Sequence, residues 1–148
     1  MSRNEVTVEA TVDQVWDVLS DGWLYPLWVV GAARMREVDD HWPAVGARLH
    51  HSVGSFPVML NDVTEVVAAE LMTRLVLRAQ AWPIGAGEVT LTLEALGART
   101  RIVMREQAVS GPGALAPRLL QDPVLAWRNT EALRRLSYLV EHRPQTDG

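Results

Sequence analysis

Three polar side chains fall on otherwise apolar faces of this 148-residue chain: Glu106, His51 and Asn129. Around Glu106 the residues alternate. Ile102, Met104, Glu106 and Ala108 oppose Arg101, Val103, Arg105 and Gln107. Alternation of that kind marks a strand, and if its apolar set faces a core, the carboxyl faces it too. A buried carboxylate without a partner is costly, and its pKa rises, which suits a general acid or base. The ordinary alternative is a rim position or a structural ion pair. His51 shares a strand face with Leu49 and Val53, while the adjacent His50 points the other way. A pocket imidazole could move a proton near neutral pH or act as a hydrogen-bonded wall residue. Asn129 lies between Leu125 and Leu133 on a helical stripe. Its amide needs partners there: a ligand group, a water or a backbone carbonyl.

Several chemistries are not expected. The chain has no cysteine, so thiol catalysis and disulfides are excluded. His41, His50 and His51 lack metal-ligand spacing, so no metal is expected. Neither a dinucleotide-binding glycine pattern, a P-loop nor a nucleophile elbow is present, and no cofactor is expected. A net charge of −4 argues against nucleic acid, and Arg134-Arg135 is too short for a basic patch. No segment approaches the roughly 20 apolar residues of a membrane span. The opening MSRNEVTVEA has no apolar run of signal-peptide length. Together with the missing cysteines, this leads to an expected cytoplasmic location.

The elements that must position these side chains follow from periodicity. Residues 4–10 alternate as a strand. Thr11 opens a helix, with Gln14 placed for a capping box and Val12, Val15, Trp16 and Leu19 at helical spacing. Ser20-Asp21-Gly22 ends that helix. Residues 23–32 form either a second short helix, with Pro26 early in it, or an apolar loop. Six further strands are predicted at 33–38, 47–53, 58–67, 74–81, 87–95 and 100–108, joined by short turns as an antiparallel meander. The turn at Glu70-Leu71-Met72-Thr73 is weaker by composition, which leaves the register around residues 58–73 open. A helical stretch from about Ala114 is expected to break before Pro123. A firm helix then runs from Pro123 to about His142. One domain over residues 1–143 with a polar tail at 144–148 is expected. The sheet has a face to bury, and only the last helix is long enough to cover it.

The segment VEATVDQVWDVLSD (8–21), Trp28 after it, Val45-Gly46-Ala47, Asp62-Val63-Thr64-Glu65-Val66 and Leu75-Val76-Leu77 resemble one superfamily. It comprises the START and birch-pollen-allergen-like helix-grip domains, often labelled SRPBCC. The resemblance is nearest to its bacterial polyketide cyclase/dehydrase and lipid transport branch. These residues mark architecture rather than chemistry. The resemblance implies an α+β helix-grip fold, with a seven-stranded curved antiparallel sheet around a long C-terminal helix and two short helices after the first strand. It also implies a deep pocket for an apolar or aromatic molecule.

On the first reading the chain is a non-catalytic binding protein for a small hydrophobic, lipid- or polyketide-like ligand. Its wall would be Trp28, Met59, Leu77, Leu91, Met104 and Leu133, with His51, Glu106 and Asn129 as polar anchors. On the second it is a cyclase or dehydratase in which His51 or Glu106 is the acid or base. On the third it is an interaction module whose six tryptophans fill the space. The chain could also act as a homodimer.

Overall fold

Alternating segments become strands, and the computed structural model describes them within residues 2–29, 32–55, 58–81, 85–108 and 118–142. The elements run β1 (Ser2–Val8), α1 (Val12–Ser20), a 3-10 turn (Gly22–Leu24), α2 (Tyr25–Trp28), β2 (Ala32–Val38), β3 (Arg48–Ser55), β4 (Val58–Glu70), β5 (Arg74–Ala81), β6 (Gly85–Leu96), β7 (Arg99–Ala108) and α3 (Arg118–His142). The seven strands form one sheet in the order β1-β7-β6-β5-β4-β3-β2. Every pairing is antiparallel. This is the expected curved sheet with a C-terminal helix. The tail at 144–148 lies outside the described residues.

The capping box at Thr11 forms. The Thr11 N–H donates to Gln14 Oε1 at 2.8 Å, and the Gln14 N–H donates to Thr11 Oγ1 at 3.4 Å. Thr100, fully buried, donates its hydroxyl to the Ala10 carbonyl at 2.9 Å and ties β7 to the end of β1. Residues 23–28 resolve into a 3-10 turn followed by α2, with Pro26 at the helix start, where a missing N–H is tolerated.

Two local expectations are corrected. The last helix does not break before Pro123; it is continuous from Arg118. Pro123 is the sixth residue of that helix, so the hydrogen bond it forfeits lies close to an end that already has unpaired N–H groups. The later turns are held by packing against β1, β7, α1 and α2. The strand before the weak turn is longer than composition suggests. It runs to Glu70 and shifts register between Val66 and Ala68, which makes Val67 a bulge residue. The turn closes with Thr73 N–H to the Glu70 carbonyl at 3.0 Å, and Met72 takes φ 59° at its third position. A glycine or asparagine there would have announced the turn; a methionine does not.

The core joins both layers. Val15, Val18 and Leu19 of α1, Leu49, Leu75, Leu91 and Ile102 of the sheet, and Leu133, Leu136 and Val140 of α3 are all buried in it. Gly22 lets the 3-10 turn sit directly on the sheet. A Cβ built there would lie 2.5 Å from Leu49 Cδ2 and 2.8 Å from Val38 Cγ1. Gly22→Ala is therefore expected to lower stability by about 1–3 kcal/mol through overpacking. Urea denaturation checks this, and an unchanged midpoint would mean the turn can lift off Leu49 without loss.

Candidate functional site

Cross-strand register explains where the sheet leaves room. Leu75, Leu91 and Met104 stand in one row across β5, β6 and β7, and all three are buried. Two positions along, on the same face, the row is Leu77, Val89 and Glu106. The next is Ala79, Gly87 and Ala108, which carries nothing larger than a methyl. The wall thus steps down from bulky to small. A partly open cavity of about 60 Å³ lies there. Arg128, Asn129 and Ala132 of α3 close it opposite the sheet, and Tyr25, Trp28 and Val29 close it from α2 and the residue after it.

The cavity is smaller than the deep pocket expected, because α2 puts two large rings into the space. Tyr25 and Trp28 meet edge to face, with centroids 5.4 Å apart and planes at 72°. Both are buried. The Tyr25 hydroxyl shares a hydrogen bond of 3.1 Å with Thr64 Oγ1, itself fully buried on β4. Burial pushes the Tyr25 phenol up to about 12; the Thr64 bond opposes this, the Glu106 carboxyl adds to it, and Arg128 opposes it.

Glu106 is 9% exposed. Burial raises its pKa above the ordinary carboxylate value. The Arg128 guanidinium, acting through space, and a hydrogen bond with the Asn129 side chain offset part of that rise. Gly87 leaves one flank of the carboxyl uncovered, since a Cβ there would stand 3.5 Å from Glu106 Oε1.

Of the residues singled out from sequence, Trp28, Leu77, Met104, Glu106 and Asn129 meet on this wall. Leu91 and Leu133 are buried in the core and are not among its lining residues. The side chains of His51 and Met59 lie outside the described residues. His50 is half-buried and pairs through Nε2 with Asp39 Oδ1 at 3.2 Å. Sequence reasoning missed Tyr25, Arg128 and Ala132. Arg128 and Ala132 are one helical turn apart, a spacing that places them together, but a charged residue reads as a solvent face. Among the described residues no group of three or more His, Cys, Asp or Glu is placed to hold a metal ion. Nor is any helix among them long and apolar enough to cross a membrane.

The raised pKa fixes the sign of a pH dependence. The folded chain holds the Glu106 proton more tightly than the unfolded chain does. Stability from this group is present below the ordinary value of 4.5 and is lost as pH rises through the raised one. Glu106→Gln should therefore gain Tm relative to the parent by a few degrees more at about pH 8 than at about pH 4.5. Thermal melts at both pH values check this, and an equal difference at both would mean that burial does not penalise the charge.

Comparison with solved structures supports the fold. Protein NE0264 from Nitrosomonas europaea superposes with a TM-score of 0.69 at 15% identity, over 94% of each chain. DynU16, from the dynemicin biosynthetic locus, is 24% identical with a TM-score of 0.63, over 95% of this chain and 47% of that one. The di-domain ARO/CYC BexL from the BE-7585A biosynthetic pathway gives a TM-score of 0.72 at 14% identity, over 97% of this chain and 47% of its own. No curated protein matches the chain. The family model described as polyketide cyclase / dehydrase and lipid transport matches residues 2–141. The chain belongs to the polyketide cyclase / dehydrase and lipid transport family.

Proposed function

We propose that this protein binds a small apolar or aromatic molecule whose end enters the cavity between the sheet and α3. The observation that carries this reading is the row of small residues facing Ala132. It leaves an apolar space onto which a few polar groups converge, Glu106, Arg128, Asn129 and Tyr25 among them. That is the usual composition of a small-molecule site. Such sites enclose roughly 300–1,000 Å³. A cavity of about 60 Å³ therefore takes one end of a ligand, with the rest toward the open side. The family description, which pairs cyclase and dehydrase with lipid transport, is compatible with a polyketide- or lipid-like molecule.

A second reading, a cyclase- or dehydratase-type enzyme, is favoured by the burial of Glu106. A carboxyl whose pKa is raised by burial is suited to exchange a proton with a substrate. BexL, a di-domain ARO/CYC by its description, shares the fold. On this reading Glu106→Gln stops turnover of a polyketide-like substrate and leaves its binding intact; retained turnover sinks the assignment.

The binding reading has a direct test. Nile red, a neutral apolar probe, should bind saturably and quench tryptophan emission, because Trp28 lies on the wall. Ala132→Phe should fill the space and weaken binding at least about tenfold, or roughly 1.4 kcal/mol, with the far-ultraviolet circular dichroism unchanged. Undiminished affinity in that variant would move the probe site elsewhere.

A further inference from the structure

Arg128 is the feature of the cavity that ligand binding in general does not explain. It is half-buried on the cavity wall. On the same helix, Arg134 and Arg135 both reach Glu131, at 2.6 Å and 3.0 Å. Among the described residues Arg128 joins no such ion pair and no hydrogen bond; its recorded influence on Glu106 and Tyr25 is through space. A guanidinium is always charged in a protein and presents a planar fork of donors that fits a carboxylate. The adjacent acid, Glu106, is held by Asn129 and disfavoured as an anion by its burial.

We propose that the cavity selects an apolar carboxylic acid, bound as its anion, with the carboxylate on the Arg128 guanidinium and the Glu106 side chain beside it. The proposal rests on the reading that this cavity holds a ligand, and it names the ligand's polar end. A carboxylate matches the fork with two parallel hydrogen bonds, stronger than those to a neutral oxygen. The neighbouring walls of Leu77, Val89 and Val29 suit an apolar body. Two carboxylates side by side would repel, so the anion binds best while Glu106 carries its proton. Among the described residues, the titratable groups that share this cavity with Glu106 are Tyr25 from α2 and Arg128 from α3. β6 places Val89 opposite it and Gly87 beside it, Glu88 of β6 and Arg105 line a second small cavity that Glu106 also borders, and β1 pairs there through Ser2. Tyr25 stays neutral well above the range concerned. Glu106 is thus the switching group at this end of the cavity.

The test uses 2-naphthoate and 2-naphthamide, which share a ring and differ in charge, each displacing Nile red. At about pH 5 the naphthoate is expected to bind the parent protein at least about tenfold more tightly than the amide. In Arg128→Gln that ratio should collapse toward one, and in Arg134→Gln, on the outer face of α3, it should persist. As pH rises through the raised Glu106 titration, naphthoate affinity should fall in the parent and stay level in Glu106→Gln. Equal affinities for the two probes in the parent, or a preference that survives Arg128→Gln, overturns the proposal. If Nile red binds and naphthoate does not displace it, the anion assignment fails while the cavity reading stands. If Nile red does not bind at all, both fail together.

Discussion

The inner face of the sheet, with Leu49, Leu75, Leu77, Leu91 and Ile102 all buried, has to be kept out of water, and α3 on β1 and β7, α1 on β6 and β7 and the 3-10 turn on Leu49 share the covering. Once α3 lies there, its inward stripe of Asn129, Ala132, Leu133, Leu136 and Val140 is committed as well. The hydrophobic contribution of such burial, about 25 cal/mol per Å² of apolar surface, is what fixes the relation between helix and sheet. The site follows from that relation. Asn129 and Glu106 meet because the helix crosses the strand end at which β7 carries its one inward carboxyl.

Within this frame the polar groups are few, and buried partners are visible for most of them. Thr100 serves Ala10, Thr64 serves Tyr25, and Asn129 serves Glu106. Arg128 differs in kind, because it faces the same cavity with its charge unmatched by a close counter-ion among the described residues. The contrast with Arg134 and Arg135 is instructive. Their shared partner Glu131 is held well below the usual carboxylate range, at about 2, by hydrogen bonds from both guanidinium groups. One helix therefore carries a settled charge cluster outside and, on the cavity wall, a guanidinium with no close counter-ion among the described residues.

Much of the fold was legible from residue spacing. The Thr11–Gln14 capping box, the inward set Leu75-Leu77 and Ile102-Met104-Glu106, and the stripe on the last helix all obey simple periods. Resemblance then supplied the seven-stranded curvature. The cavity's size was not legible, since it depends on which residues stand opposite one another across strands. Leu77 beside Val89 beside Glu106 is a fact of register, and on the other side of β5 the Val67 bulge shifts the β4–β5 register without leaving a mark in composition. Pro123 misled for a related reason: its effect depends on distance from the helix end, and that end lies in a stretch without periodic signal. Arg128 was passed over because charge is a good guide to solvent and a poor one to the mouth of a cavity.

Gly87 stands beside the Glu106 carboxyl. A methyl added there would meet Glu106 Oε1 at 3.5 Å, an ordinary van der Waals distance, and Gln107 O at 3.7 Å. The backbone does not require glycine by a left-handed conformation, as it does at Gly97. The missing side chain leaves the carboxyl one contact short on the β6 side. Alanine would add a methyl in ordinary contact with Glu106 Oε1, and so deepen the burial that raises its proton affinity, with every acidic and basic residue left in place.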